Sequence, residues 1–421
     1  MRKNVWLINH YATGMFESER GRHYYFAKYL KQEGYNPVII CSSFVHKGRK
    51  NYIDDNHKFL QKKKDGITFV FIKTSPYNGN GKERIKNMIE FAVKLVRSKK
   101  KIINKIGNPD VIIGSSVHPL ACVAGIMIGK STRCKVISEI RDLWPETLVM
   151  FGSIKANSLV ARILYRGEKW IYQTSDNIIF TMEGGRQYII DRGWQDKIDL
   201  EKIFYINNGV DLVQFYEDVK DGAFHDEDLE NNAFKIIYTG TISKANDVGR
   251  LVQAAEKIQL NYGKKILFFI YGEGEERKIL EENCKKHGIE NVIFKGKVSK
   301  RRIPFILSKG NLLVVNYARE MFESEHNVLR YGGSHNKLFE YLAAGKPILY
   351  TQPSAYNLVE KNHCGLVLKE SETAESLAQG ILDIYQLNHE QLEIMSGNSS
   401  ETVKDFDFCN LTKKLIEVIE K

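Results

Sequence analysis

Long apolar runs are missing from this chain of 421 residues. A membrane-spanning helix needs roughly 18 consecutive apolar residues, and with none present no segment is expected to cross a bilayer. The opening Met1-Arg2-Lys3-Asn4-Val5-Trp6-Leu7-Ile8 turns polar at Asn9-His10, before a signal-peptide core could develop, so a cytoplasmic chain is expected. Cysteine is also sparse: six residues, at 41, 122, 134, 284, 364 and 409, with no CxxC pair and no metal-ligand spacing. They read as reduced, mostly buried thiols, and neither a disulfide framework nor a zinc or iron site is expected. Short-period repeats and low-complexity tails are lacking as well.

What is present is ordinary globular composition, 43% apolar and 27% charged, on a chain too long for one core to organise. The net charge of +11 is unevenly placed. Residues 1–200 hold 34 Lys/Arg against 18 Asp/Glu, whereas residues 201–421 hold 28 against 33. A basic first half beside a mildly acidic second half points to an anionic partner for the first half, either nucleic acid or a membrane face.

Short β-branched apolar runs recur with room for a helix between them: Val5–Ile8, Val38–Cys41, Thr68–Ile72, Val111–Gly114, Val136–Glu139, Asn177–Thr181 and Ile203–Ile206. Helical patterns at Glu19–Gln32, Lys82–Lys105, Pro119–Gly129, Ala156–Tyr172 and Gly184–Asp191 alternate with them. The alternation restarts at Phe234–Tyr238 and continues through Ile266–Tyr271, Val292–Phe294, Asn311–Val315, Pro347–Tyr350 and Gly365–Leu368, with late helices at Ser354–Lys361 and Ser371–Tyr385. Such patterns predict parallel sheets covered on both faces. Asn207-Asn208-Gly209-Val210-Asp211, followed by the polar Tyr216–Asn232, marks the junction. The expectation is an α/β chain of two doubly wound Rossmann-like domains, residues 1–208 and 209–400, with a C-terminal helix in 401–421 returning to the first domain.

The sharpest local signal runs from Tyr331-Gly332-Gly333-Ser334-His335-Asn336-Lys337 through Glu340 to Gly345. It reads as a glycine loop, a helix opened by Ser334, and a Gly345 stop before a buried strand. Adjacent glycines allow close backbone approach, and the amides of a helix N-terminus suit a diphosphate. Glu340, one to two turns in, is placed to accept from ribose hydroxyls; the alternative is a capped helix with a solvated glutamate.

This segment, KLFEYLAAGKPIL, closely resembles the donor-site signature of the retaining GT-B glycosyltransferases of family 4. Ile237-Tyr238-Thr239-Gly240-Thr241-Ile242-Ser243-Lys244 resembles that family's C-terminal phosphate loop, and Tyr271-Gly272-Glu273-Gly274-Glu275 its second glycine loop. Phe294-Lys295-Gly296-Lys297-Val298 is similar to the loop that holds the base. Asn207–Asp211 matches the interdomain linker, so the resemblance covers most of 203–370 in order. Glu139-Ile140-Arg141-Asp142-Leu143-Trp144-Pro145-Glu146 and Leu7–Ala12 resemble the WbuB-like branch of O-antigen and capsule biosynthesis.

The resemblance implies a GT-B fold, two Rossmann-like domains facing across a cleft, and a hexosyltransferase needing no metal or other cofactor. It implies donor contacts at Gly240, Lys244, Gly272, Gly274, Lys297, Ser334, Asn336, Lys337 and Glu340. The co-substrate would be a nucleoside-diphosphate sugar, probed first as a UDP-linked N-acetylated amino sugar such as N-acetylfucosamine; the acceptor would be a polyprenyl-diphosphate-linked glycan. Two departures stand out: Gly332 occupies the first position of the family's Glu-x7-Glu pair, and Arg141 the place of its usual histidine. The catalytic group then falls to Asp142, Arg141 or His118, the last reading equally as a helix-start histidine. In the loop from Ala12 to Arg22, Gly14 and either Arg20 or Arg22 are candidates for a diphosphate or a lipid-linked phosphate, against the reading of solvated charges.

Lys82–Lys105 holds nine Lys/Arg and two Asp/Glu interleaved with apolar residues. It suits an anionic membrane surface, and equally an outer helix packing its apolar stripe on the sheet. No nucleic-acid module is recognised. A peripheral monomer on the inner face of the cytoplasmic membrane is expected. A nucleotide-sugar 2-epimerase and a catalytically inactive binding relative are the competing readings.

Overall fold

The computed structural model describes residues 2–46, 50–79, 81–318, 326–351, 355–368 and 373–421. They form two compact units, Met1–Asn207 with Phe408–Lys421, and Asn208–Asp407.

The first unit is built on eight strands: β1 (Asn4–Ile8), β2 (Asn36–Ser42), β3 (Phe59–Lys64), β4 (Ile67–Ile72), β5 (Val111–Ser116), β6 (Lys135–Ile140), β7 (Asn177–Phe180) and β8 (Ile203–Tyr205). They lie in the order β3-β4-β2-β1-β5-β6-β7-β8. All pairs are parallel except β3 on β4, an edge hairpin absent from the sequence reading. Its signal is Asp65-Gly66 just before the apolar run Ile67–Ile72; both residues take positive φ (50° and 73°), which matches the twist of a two-residue hairpin. Lys62, Lys63 and Lys64 line this edge, a composition that blocks edge-to-edge pairing.

The strands read as continuous apolar runs because both faces are covered. Trp6, Ile8, Val38, Ile40, Val70 and Ile112 pack against Phe91, Leu95 and Ile102 of the helix Lys82–Ile106. Within the same unit the C-terminal helix Phe408–Glu420 lies on Arg22–Gln32, with the Phe408 ring 4.9 Å from Tyr25 and 5.4 Å from Phe26. This helix begins at Phe408 rather than near 401; the preceding residues form the helix His389–Thr402 and a short turn of the second unit.

The second unit carries β9 (Phe234–Thr239), β10 (Ile266–Tyr271), β11 (Val292–Gly296), β12 (Leu312–Val315), β13 (Ile348–Tyr350) and β14 (Gly365–Val367). The order is β11-β10-β9-β12-β13-β14, parallel throughout. Of the late helices, Leu358–Lys361 and Ala374–Tyr385 are seen; residue 354 and residues 371–372 lie outside the described residues. The stretch after the junction, expected to be irregular, instead contains the helix Leu212–Asp221, capped by Asp211 through the amide of Gln214 at 3.0 Å.

In each unit the chain leaves its first strand in one direction and returns on the other side. β1 therefore lies between β2 and β5, and β9 between β10 and β12. The carboxyl ends at such a switch point are where open α/β sheets hold ligands.

Glycines at the second switch point answer to backbone packing. A Cβ on Gly272 (φ +150°) would sit 1.7 Å from the Gly240 carbonyl oxygen, and one on Gly274 1.9 Å from that of Ile242. The second glycine loop thus lies directly on the first, with Ile242 N donating to Glu273 O at 3.0 Å. Gly249, in the helix Val248–Tyr262, has only Leu280 at 3.6 Å from a built Cβ. We expect Gly274→Ala to cost about 2 kcal/mol or more in urea unfolding, and Gly249→Ala to stabilise by about 0.5–1 kcal/mol. Equal effects of the two would refute this account of the loop packing.

Candidate active site

At the switch point of the second unit, β9 ends at Thr239, whose amide donates to the Tyr341 hydroxyl at 2.8 Å. The chain turns at Gly240 (φ +153°) and passes Lys244 in the short turn Lys244–Asn246. Asp247, at φ 43°, then caps the helix Val248–Tyr262. Arg250 on that helix is buried, pairs with Asp247 at 3.1 Å, and donates to Asn316 Oδ1 (2.8 Å) and Tyr317 O (2.7 Å) at the end of β12. Asn316 Nδ2 donates to the carbonyls of Asn246 (3.0 Å) and Asp247 (2.6 Å). The phosphate-type loop is therefore fixed from beneath by a buried polar clamp that the sequence reading missed.

Lys337 projects into this corner. Its Nζ lies 3.3 Å from Asn246 Oδ1 and 3.4 Å from the Tyr238 hydroxyl, and 4.6 Å and 5.3 Å from the ring centres of Tyr238 and Tyr317. A Cβ on Gly240 would come within 3.1 Å of the same Nζ, so glycine 240 makes room for the ammonium. Loss of solvation pulls the Lys337 pKa down to about 8. Among the described residues no carboxylate pairs with it. A half-buried cation facing two neutral oxygens and two aromatic faces is a site poised for an anion.

The other donor candidates sit around it unequally. Lys244 and Lys297 are exposed beyond β9 and β11, and Asn336 is exposed at the first position of the helix Asn336–Ala343. Ser334 does not open that helix: His335 is its N-cap, while Ser334 Oγ accepts from Asn208 N at 3.3 Å and Ser334 O from Asn208 Nδ2 at 3.0 Å. The hydroxyl is drawn off by the linker residue, whose own amides need acceptors. Glu340 is half-buried one turn into the helix.

The first unit presents a different chemistry. Glu139, buried on β6, takes Arg22 Nε at 2.7 Å and the Ser115 hydroxyl at 2.7 Å, with His23 Nε2 at 3.0 Å. Burial alone would push this carboxyl up; Arg22 and His23 outweigh that and hold it well below the usual range. Arg22 also donates to the carbonyls of Ile206 (2.8 Å) and Asn207. It is buried structural ballast for the sheet edge, and the expectation that it meets a phosphate is corrected, because Glu139 and two carbonyls already engage it. Arg20 is half-buried. Gly14 has φ −68° and nothing within 4 Å of a built Cβ, so no protein contact demands a glycine there.

Arg141 follows Glu139 by two residues and is half-buried; its Nε is shielded from solvent without a hydrogen-bond partner. Asp142, beside it, is exposed. Its carboxyl is raised by the protein mass around it and lowered, to a lesser extent, by Arg141.

His118, one of the catalytic candidates, is 1% exposed: the turn after β5 delivers it into a buried chain of hydrogen bonds. His10, after β1, lies with Nε2 2.6 Å from Asn87 Oδ1 and Nδ1 2.6 Å from His118 Nε2. Asn87 Nδ2 donates to Ser75 O, which orients its Oδ1 toward His10. His10 Nε2 must then carry hydrogen, Nδ1 accepts, and His118 donates from Nε2. The His118 Nδ1 lone pair remains buried with no partner. His10 is sandwiched between Tyr11 (4.5 Å) and Phe91 (4.7 Å), and Arg84 Nε donates to Tyr11 at 2.9 Å. Sequence reading overlooked His10 and Asn87, although Asn9-His10 ends the first strand at a switch point.

Burial, against the weaker opposing bond from Asn87, lowers the His10 pKa to about 3. The folded protein therefore keeps His10 neutral while the unfolded chain takes up a proton below about 6.5. Stability from this group is complete above that value and is lost as pH falls from about 6.5 toward 3. His10→Phe, which retains the stack, should unfold about 1–3 kcal/mol more easily at pH 7 because two polar partners are stranded. It should also lose less stability between pH 6.5 and 4 than the parent. An unchanged pH slope in urea unfolding would refute the buried neutral pair.

The family models "Glycosyltransferase Family 4" and "Glycosyl transferases group 1" match residues 23–214 and 220–402. The putative colanic acid biosynthesis glycosyl transferase WcaI of Escherichia coli is 23% identical over 282 residues, 65% of each chain. The probable glycosyltransferase WbjE of Pseudomonas aeruginosa is 22% identical over 255 residues, 59% of each. The chain thus aligns with somewhat less than two thirds of these curated relatives. Among solved structures, sucrose-phosphate synthase of Thermosynechococcus elongatus superimposes with a TM-score of 0.72 at 16% identity, covering 100% of this chain and 98% of that one. Anabaena HepE, solved with UDP and glucose, gives 0.65 at 14% identity with full coverage of both. With its doubly wound sheets matched along their whole length and a family model on each half, the chain has the GT-B fold and belongs to glycosyltransferase family 4.

Proposed function

We propose that this chain transfers a sugar, with retention at the anomeric carbon, from a UDP-sugar to a lipid-linked glycan during assembly of a bacterial surface polysaccharide. The observation that carries the donor half is Lys337, an ammonium held beside the phosphate-type loop with no carboxylate opposite it among the described residues. UDP bound to the HepE structures supports uridine as the base, and the colanic acid setting named for WcaI supports the polysaccharide product. The WbuB-like motif at 139–146 supports an N-acetylated amino sugar such as N-acetylfucosamine.

In this reading Lys337, Lys244 and the amides at Asn336 receive the diphosphate, Glu340 the ribose hydroxyls, and the backbone near Lys297 the base. The two lysines supply the charge that a metal supplies elsewhere, so no cofactor is assigned. The bond between C1 and the phosphate oxygen breaks, UDP leaves with its electron pair, and the acceptor oxygen bonds to C1 on the same face. The acceptor proton passes to the departing phosphate. Asp142 and the unpartnered Nε of Arg141 take the acceptor hydroxyls, and the His10–His118 pair stiffens the edge beside them. Among the described residues no helix is long and apolar enough to cross a membrane. Access to a lipid-linked acceptor is assigned to peripheral binding at the inner face of the cytoplasmic membrane, through the helix Lys82–Ile106.

That helix serves two purposes. Met88, Phe91, Ala92, Leu95 and Ile102 are core, while Ile85, Ile89 and Val93 are 55%, 49% and 40% exposed between Lys82, Lys86, Lys94 and Arg97.

Lys337→Ala should lower transfer, read as UDP or GDP release with a panel of UDP- and GDP-sugars, by about a hundredfold. Undiminished rates would sink the diphosphate assignment. Conversion of a UDP-sugar to its epimer in the absence of acceptor would instead select the epimerase reading. Because Lys337 titrates near 8, UDP affinity should fall as pH rises from 7 to 9 in the parent but not in Lys337→Arg, measured calorimetrically. Activity should survive excess chelator; activity lost to chelation and restored by magnesium would refute metal independence.

A further inference from the structure

The helix Leu159–Thr174 of the first unit carries apolar residues on its outer face as well as on its inner one. Its inner face buries Ala161, Ile171 and Tyr172 together with Glu168, which is 3% exposed. Tyr172 and Tyr188 donate to that carboxyl at 2.7 Å and 2.9 Å, and burial raises its pKa to about 8, so it is mostly uncharged at neutral pH. The outer face shows Leu159, Val160, Ile163 and Trp170, exposed by 73%, 55%, 57% and 38%, and Phe151 just before the helix is 54% exposed.

The charges follow the same pattern. Between Pro145 and Ser175 both carboxylates, Glu146 and Glu168, are buried, whereas Lys155, Arg162 and Arg166 are exposed. Lys130, from the neighbouring helix Leu120–Thr132, places its ammonium 5.5 Å from the Trp170 ring centre. That neighbour packs against both Leu159–Thr174 and Lys82–Ile106, so the exposed Ile85, Ile89 and Val93 belong to the same helical layer.

We infer that Phe151 and the outer face of Leu159–Thr174 form a second docking element for a membrane surface rich in anionic lipid. Aliphatic side chains and an edge tryptophan flanked by Lys130, Lys155, Arg162 and Arg166 match a headgroup–acyl boundary. A second copy of the chain fits poorly, because two such faces would bring like charges together without a carboxylate between them. Nucleic acid would meet the cations but leave the leucine, valine and isoleucine unsatisfied. The inference extends the membrane assignment above to a helix that it did not include, and it concerns binding rather than transfer. It also places the membrane-facing segment in the same stretch of chain as Asp142.

The test is flotation of the full chain with phosphatidylcholine vesicles, with or without roughly one third phosphatidylglycerol. Binding to the anionic vesicles is expected, with a blue shift of tryptophan emission and quenching by brominated acyl chains, both absent in Trp170→Phe. Leu159→Ser/Ile163→Ser should weaken binding by about tenfold or more. Arg162→Glu/Arg166→Glu should remove its salt-sensitive part. UDP affinity, carried by the other unit, should be unchanged in both, which separates failure of this inference from failure of the donor reading. Vesicle binding untouched by Leu159→Ser/Ile163→Ser but lost in Ile85→Ser/Ile89→Ser would overturn it in favour of the first helix alone. So would a dimer in light scattering that Leu159→Ser/Ile163→Ser dissolves, or duplex DNA that displaces the vesicles.

Discussion

The buried ion pair between Arg22 and Glu139 is the constraint on which the first unit's functional edge depends. It ties together the helix after β1, the end of β5 through Ser115, β6 through Glu139 itself, and the exit of β8 through the carbonyls of Ile206 and Asn207. Two charges removed from water are costly, and their attraction offsets the cost only when the remaining donors and acceptors are satisfied. Here they are engaged on both sides, so the geometry of the edge is set by the need to leave none of them stranded. Arg141 then rises from a fixed platform.

The second unit solves the opposite problem. Arg250 is as buried as Arg22 and likewise matched, by Asp247, Asn316 and the Tyr317 carbonyl. Its function is to hold the loop 240–247 against the end of β12. Above that clamp Lys337 is given only neutral oxygens and aromatic faces. The two cations differ in whether the protein supplies the countercharge. Loss of solvation without a partner lowers the Lys337 ammonium's pKa, and under the proposed function a bound diphosphate would raise it.

Much of this was legible from the sequence, for reasons that also explain the omissions. The strand and helix runs repeat at short range, so two doubly wound sheets could be read directly, and the glycine loops marked the switch point of the second. The Asp65-Gly66 hairpin was equally local and went unread because β3, Phe59-Leu60-Gln61-Lys62-Lys63-Lys64, carries little apolar signal. Arg22 and Glu139 are separated by 117 residues, and His10 and His118 by 108. No single sequence carries information about which distant charge will be buried beside which. The reading of Arg22 as a phosphate ligand failed for that reason. The displacement of Ser334 from its helix has the same origin, since its partner Asn208 lies 126 residues earlier.

The helix Leu159–Thr174 shows where periodicity itself misleads. Apolar residues fall on both of its faces, and an all-round apolar helix is ordinarily read as deeply buried. Folding resolves the ambiguity against the usual direction, placing a carboxyl inside under two tyrosine hydroxyls and leaving leucine and isoleucine outside. In water alone the exposed Leu159, Val160 and Ile163 stay hydrated at a cost, while Ala161, Ile171 and Tyr172 fill the inner face beside the acid. That cost is relieved when the outer medium is itself apolar and negatively charged at its boundary, since the aliphatic face then leaves water and the flanking cations gain partners. The same medium would carry an acceptor anchored by a polyprenyl chain. Under the proposed docking, a surface that lies flat on it would turn the search for that acceptor from three dimensions into two.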